Sequence, residues 1–226
     1  MSDNTNHEVN GADMNGAESL VRTLIAGGVD VCFTNPGTSE MHFVAALDKV
    51  PGMRCVLGLF EGVVTGAADG YYRMLGKPAS TLLHLAPGLA NGLANLHNAK
   101  KADSGVVNIV GEHATYHIQY DAPLTADIEG TAAPMSHWVK TSPTSQTIAA
   151  DGALAIEAAT QTPGQIATLI LPADTAWGPA DAVVEATAPP ALPKASDAAV
   201  KAAAEMLRTS ETAPLLMGGG ALRHRS

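Results

Sequence analysis

Apolar residues along this chain switch repeatedly between a helical and a strand-like spacing. Leu20, Val21, Leu24 and Ile25 recur at helical intervals behind Asn15, a cap residue, with Glu18 in the capping-box position three residues on. Gly27 and Gly28 stop that helix. Val29 to Thr34 reads as a short strand, and it ends in the turn cluster Asn35-Pro36-Gly37-Thr38-Ser39-Glu40 before a helix over Met41 to Asp48. Arg54 to Leu59 predicts the next strand, and a helix opens at Glu61. A third strand follows at Ala79 to Leu85, broken by Pro87-Gly88. Leu89, Leu93 and Leu96 then mark a helix ending near Lys100 and Lys101, and Val106 to Val110 reads as a fourth strand. From Glu112 to Ser136 the pattern weakens into a long polar loop, a length that is often functional. Regularity returns with a helix around Ile148 to Thr160 and a strand from Gln165 to Leu171, closed by Pro172.

Strands alternating with helices of this length predict an α/β fold, a parallel sheet with helices on both faces. Ligands bind at the carboxyl ends of such strands, which singles out the turns Asn35 to Ser39, Gly58 to Gly62 and Ala86 to Asn91. Residues 1–13 read as a disordered leader and 14–174 as the main domain. Residues 175–196, with Pro179, Pro189, Pro190 and Pro193, read as an extended linker. Residues 197–226 read as the start of an incomplete second α/β domain, with a helix over Ala198 to Arg208, a β-like run from Ala213 to Met217 and the turn Gly218-Gly219-Gly220.

Composition narrows the function classes. A formal charge of -9, with 13 Lys plus Arg among 226 residues, gives a nucleic-acid or anionic-membrane partner no electrostatic footprint. Without an apolar run long enough for a membrane span or a signal peptide, a cytoplasmic protein is the expectation. Cys32 and Cys55 both fall in β-like runs and read as buried free thiols.

The stretch around which the rest is organised is Leu57 to Arg73, LGLFEGVVTGAADGYYR. Apolar residues and glycines flank Glu61, so in a buried setting its carboxylate has little water to stabilise its charge, as general acid–base work requires. The alternative is an ordinary solvated glutamate at a helix start, where the dipole favours it. Gly62, Gly66 and Gly70 would form one smooth helical face, at about 1 kcal/mol each in helix propensity, offset by close approach of another backbone.

Three motifs in this order resemble the N-terminal, pyrimidine-binding part of thiamine-diphosphate enzymes of the acetolactate synthase and benzoylformate decarboxylase group: Asn35 to Glu40, Glu61 to Tyr71, and His84-Leu85-Ala86-Pro87-Gly88-Leu89-Ala90-Asn91. The resemblance covers most of residues 14–175. It implies that Glu61 hydrogen-bonds the aminopyrimidine ring of thiamine diphosphate and so activates the cofactor. It also implies that Pro36, Gly37, Pro87 and Gly88 let backbone approach that ring, with Asn91 beside it. His84 stands where the decarboxylase carries an active-site histidine, and Thr38 where it carries a substrate-side serine. Read without the resemblance, these are plain strand-to-helix turns, a loop-bracing amide and a histidine satisfied by backbone. Glu112 departs from the family, which usually has glutamine there, and a carboxylate would repel a 2-oxo acid unless protonated or paired.

Other patterns carry less. His113 and His117 lack companions for a metal site. Asp69-Gly70 with Asn95 mimics the spacing of the family's diphosphate and magnesium motif, but it lacks the leading glycine and lies in a predicted helix. The diphosphate and Mg²⁺ ligands are therefore expected from a domain this sequence does not contain. The leading expectation is the N-terminal part of a 2-oxo acid decarboxylase or carboligase, a homodimer or homotetramer. The alternatives are a split chain that needs a partner subunit carrying the diphosphate-binding domain, and a non-catalytic truncated module that dimerises through the Gly66 face.

Overall fold

The apolar runs become strands of one six-stranded sheet in the computed structural model, which describes residues 14–188 and 194–218. In chain order the elements are β1 (Met14–Asn15), α1 (Gly16–Ala26), β2 (Val31–Asn35), α2 (Met41–Lys49), β3 (Arg54–Leu57), α3 (Glu61–Leu75), β4 (Ala79–Leu83), α4 (Leu85–Lys101) and β5 (Val106–Glu112). They continue with α5 (Ile128–Ala132), β6 (Trp138–Thr141), α6 (Ile148–Ala159), β7 (Ile166–Pro172), α7 (Ala173–Trp177), β8 (Pro179–Ala180) and α8 (Asp197–Thr209). Short 3-10 turns sit at Thr38–Glu40 and Ile118–Tyr120. The sheet runs β3-β2-β4-β5-β7-β6 with every neighbouring pair parallel, and β1 pairs antiparallel with β8. Two units divide the chain, residues 1–189 and 190–226.

Burial follows the alternation of side chains across the sheet. Every residue of β4, β5 and β7 is buried, as expected of central strands covered on both faces. On one face Val107 and Ile109 join Leu20, Leu24, Phe43 and Ile156 in a core beneath α1, α2 and α6. On the other, Val106 and Val110 join Val64, Leu89, Leu96 and Ile128 beneath α3, α4 and α5. The one amide inside β5, Asn108, is satisfied across the sheet: Thr81 donates to it at 2.6 Å, and it donates to Thr168 at 3.1 Å.

Asn15 caps α1 by accepting the Glu18 N–H at 2.9 Å, as expected. The Glu18 side chain does not complete the capping box, because it takes Lys49 Nζ of α2 at 2.8 Å instead. Gly27 caps the far end and Gly28 takes φ +82°, the left-handed turn that glycine permits. Of the expected glycine face of α3, Gly66 meets α4 of the same chain, whereas a Cβ at Gly62 would meet the Phe60 ring and Gly70 faces open space. Asn95 donates to Gly62 O at 2.6 Å, Thr65 Oγ1 donates to Gly92 O at 3.0 Å, and a Cβ at Gly66 would come within 3.1 Å of Asn95 Nδ2.

The structure corrects several expectations. Pro87 and Gly88 do not precede the helix but lie in the first turn of α4, where proline's missing N–H has no intrahelical partner to lose. Leu85, at φ +45°, makes the sharp bend from β4 into that turn. The stretch from Glu112 to Ser136 contains the end of β5, a 3-10 turn and α5, capped by Asp127 accepting Gly130 N–H at 2.7 Å. β6 has no counterpart in the sequence reading, since WVKT is short and all four residues are half-buried at the sheet edge. Of residues 175–196, Thr175 to Trp177 belong to α7 and Pro179–Ala180 form β8. Cys32 is buried and burial pushes its thiol up to about 12, but Cys55 is exposed on edge strand β3. In the second unit α8 forms over the expected residues, and Ala213–Met217 form no strand and are exposed. The leader at 1–13, Pro189, Pro190, Pro193, Gly219, Gly220 and residues 221–226 lie outside the described residues.

The α3–α4 contact gives a stability test. A Cβ on Gly92 would sit 2.8 Å from Thr65 Cγ2. Gly92→Val is expected to cost about 1–3 kcal/mol by overpacking, read as a lower denaturant midpoint with unchanged slope.

Candidate functional site

The loops at the carboxyl ends of β2, β4 and β5 meet on one buried carboxylate. Glu40 ends the 3-10 turn after β2, and its side chain is fully buried. Its Oε2 accepts the Gly37 N–H at 2.7 Å and lies 2.8 Å from His84 Nδ1. Among the described residues its Oε1 has no hydrogen-bond partner, and it presses on Gly111 of β5, where a Cβ could not fit. Gly37 is held as tightly: a Cβ there would lie 2.2 Å from His84 Nδ1. With Nδ1–H donated to the carboxylate, His84 keeps Nε2 as the ring's free acceptor.

His84 caps the N-terminus of α4, and Gly88, one turn on, packs between it and Glu61. A Cβ at Gly88 would stand 3.2 Å from Glu61 Oε1 and 3.3 Å from His84 Cβ. Glu61 opens α3, is 9% exposed, and accepts Asn91 Nδ2 on Oε2 at 3.0 Å. Its Oε1 has no hydrogen-bond partner among the described residues and is not sealed in. The apolar surroundings expected for this carboxylate face outward: Leu57, Leu59, Phe60 and Val63 are all exposed.

The structure thus brings Gly37, Glu61, His84, Gly88 and Asn91 into one contiguous cluster. Pro36 sits half-buried in the adjoining turn and Pro87 is exposed in the first turn of α4. Thr38 is exposed and lines a separate cavity of about 270 Å³ with Ser39, His42, His113, His117 and Trp177, among others. None of the other expected residues lines it. Sequence reasoning missed the part played by Glu40, although it closes the quoted turn cluster, where an acidic residue entering a helix was the available signal. It also missed His42 and Trp177, whose rings lie 5.3 Å apart. Glu112, at the end of β5, is buried, and desolvation pushes its carboxyl above the usual range while the neighbouring His113 N–H it accepts at 2.7 Å partly opposes this.

The sequence profile of thiamine pyrophosphate enzymes, N-terminal TPP binding domain, matches residues 14–137. The chain belongs to this family. A Mycobacterium tuberculosis protein named as an acetolactate synthase large subunit is 56% identical over 210 residues, 93% of this chain and 40% of the relative. The benzoylformate decarboxylase of Pseudomonas aeruginosa is 33% identical over 159 residues, 70% of this chain and 30% of the relative. The solved thiamine diphosphate-dependent 4-hydroxybenzoylformate decarboxylase of Rhodococcus jostii shares the fold, with TM-score 0.76 at 24% identity over 88% of this chain and 38% of its own. The chain therefore spans about two fifths of the relatives it matches most fully.

Two outcomes check this geometry. Glu112→Gln keeps the acceptor for His113 N–H and removes the titration. A carboxyl raised in the folded state favours folding below its unfolded value of 4.5 and loses that advantage as pH rises through the folded value. The variant should be more stable than the parent at pH 7, read as a higher Tm, with the gap closing below about pH 4.5. Glu40→Ala removes the acceptor for Nδ1–H, so nitrogen NMR of His84 should change from one dominant tautomer to a mixture.

Proposed function

We propose that this chain supplies the cofactor-activating half of a thiamine-diphosphate-dependent 2-oxo acid decarboxylase or carboligase. The observation that carries this is the free Oε1 of Glu61, held at the start of α3 by Asn91 and bordered by a glycine at position 88. A carboxylate oxygen without a partner, beside a place where a side chain would intrude, suits a flat ring that donates an N–H. Thiamine diphosphate, when bound, supplies a carbon nucleophile and takes up the electron pair released by loss of CO₂.

The chain's own residues then have distinct tasks. Glu61 holds a proton in exchange with the pyrimidine ring. Gly37 and Gly88, with Pro36 and Pro87 in the same turns, shape the surface against which that ring lies, and Asn91 orients Glu61. His84, its tautomer set by Glu40, moves a proton at Nε2 on the substrate side, and Thr38 contributes a hydroxyl to the separate cavity it lines.

Among the described residues no group of three or more His, Cys, Asp or Glu is placed to hold a metal ion. We assign Mg²⁺ and the diphosphate to a domain beyond these residues, in the same polypeptide or in a partner chain. The exposed Leu57, Leu59, Phe60 and Val63 beside Glu61 support a subunit interface there, in a homodimer or homotetramer. No helix among the described residues is long and apolar enough to cross a membrane, and with the acidic charge this supports a cytoplasmic enzyme acting on a small 2-oxo acid.

The test is exchange of the cofactor's thiazolium C2 hydrogen for deuterium, in the enzyme assembled with its diphosphate-binding domain. Glu61→Gln is expected to slow exchange by at least about 10²-fold, the usual scale of a lost acid–base group. An unchanged rate overturns the assignment. Calorimetry with thiamine diphosphate and Mg²⁺, on the chain alone and with a candidate partner, separates a split enzyme, which binds only in the mixture, from a non-catalytic module, which binds in neither.

A further inference from the structure

We propose that Cys32 and Cys55 form a redox-modification site, a thiol pair that a small-molecule disulfide converts into a bond between β2 and β3. The two residues are direct partners in the parallel ladder, so their side chains leave the sheet on the same face. Both are free thiols, Cys32 buried and Cys55 exposed. Paired residues on neighbouring strands stand about 4.8 Å apart at Cα, inside the range of about 4.4–6.8 Å that a disulfide spans. Their Cβ atoms must close by roughly 1 Å from ordinary sheet spacing to the disulfide value. β3 supplies that movement because it is an edge strand, with β2 as its one neighbour in the sheet.

The two thiols have separate parts. Cys55 is the entry point, open to a reagent at the sheet edge, and Cys32 is the resolving thiol. Cys32 lies in the core beneath α1 and α2 with 0% exposure, so it meets an oxidant only through its neighbour. Its Sγ donates to the Phe33 carbonyl at 3.8 Å, a weak contact given up at little cost. Burial raises both thiols, Cys32 to about 12, so it is their placement opposite each other and not their acidity that singles out the pair. In the exchange the Cys55 thiolate attacks glutathione disulfide, forms a Cys55–glutathione bond and releases one glutathione thiolate. Cys32 then attacks Cys55 Sγ, forms the Cys32–Cys55 bond and releases the second. Two protein thiols are oxidised, one glutathione disulfide is reduced, and the two thiol protons end on the two glutathiones.

Position gives the bond a consequence. Three residues on from the pair, Asn35 Nδ2 donates to Gly58 O at 2.8 Å, so the turn after β2 is already tied to the loop that leads to Glu61. A covalent link beside that contact removes the freedom of the edge strand to open. In a reducing compartment such a bond is transient, a switch and not a staple. The inference rests on the sheet and not on the role assigned to Glu61.

The test is incubation of the 226-residue chain with glutathione disulfide in mildly alkaline buffer, followed by intact mass, a tryptic map and hydrogen exchange. The chain is expected to lose the mass of two hydrogens, to yield a tryptic peptide joining Cys32 to Cys55, and to exchange more slowly in β3, all reversed by dithiothreitol. Cys32→Ala should stop at a lasting glutathione adduct on Cys55. Cys55→Ser should gain neither adduct nor bond, because the remaining thiol is buried. A glutathione adduct that persists on Cys55 of the parent chain, a Cys55–Cys55 bond between two chains, unreacted thiols, or a linked peptide that forms only in denaturant overturns the proposal.

Discussion

The buried carboxylate of Glu40 is the constraint on which this end of the molecule depends. It joins the loops that leave three adjacent strands, through Gly37 after β2, His84 after β4 and Gly111 in β5. A carboxylate removed from water costs several kcal/mol unless its partners are in place, so the three loops are tied to a single arrangement. The glycines on either side are part of the same device. At position 111 any Cβ would occupy the carboxylate's own space, and at position 37 it would collide with the imidazole. Such a clasp holds the His84 imidazole in one tautomer through its contact with Glu40.

A second contact carries the same logic to Glu61. Helices α3 and α4 approach closely because Gly66 and Gly92 put no side chain between them, and Thr65 and Asn95 hydrogen-bond backbone carbonyls across the gap. The N-terminal turns of the two helices are thereby set side by side, and Gly88 fits between Glu61 and His84. One carboxylate is held by a strand-end clasp and the other by a helix pair. The two meet at His84 and Gly88.

Much of this was legible in the residues. The alternation of strand and helix spacing gave the parallel sheet, Asn15 gave the cap, and of the three glycines spaced along α3 only Gly66 packs on α4, while Gly70 faces open space. What escaped was decided by distant parts of the chain. Glu18 looks like half of a capping box until Lys49 arrives from α2. Pro87 looks like a strand breaker, but Leu85 bends first and places it where a helix tolerates proline. β6 carries no alternation because an edge strand with every residue half-buried has no inner and outer side to mark. Glu40 reads as a surface acid at a helix start, and nothing local reveals that β4 and β5 close over it.

The two carboxylates also differ in what remains open. Glu40 is sealed by this chain, whereas Glu61 is flanked by Leu57, Leu59, Phe60 and Val63, all of them exposed. This chain already shields most of Glu61, which is 9% exposed, and leaves its Oε1 as the open part. A carboxylate exchanging a proton with a ring works best when the surroundings are dry, because the low dielectric strengthens the hydrogen bond that does the work. Under the proposed reading, a subunit covering those four apolar side chains would gain their burial energy and complete the shielding of Glu61. Under the same proposed reading assembly and activation would be one event, because Asn91 and the glycines already hold Glu61 and His84 in place within this chain.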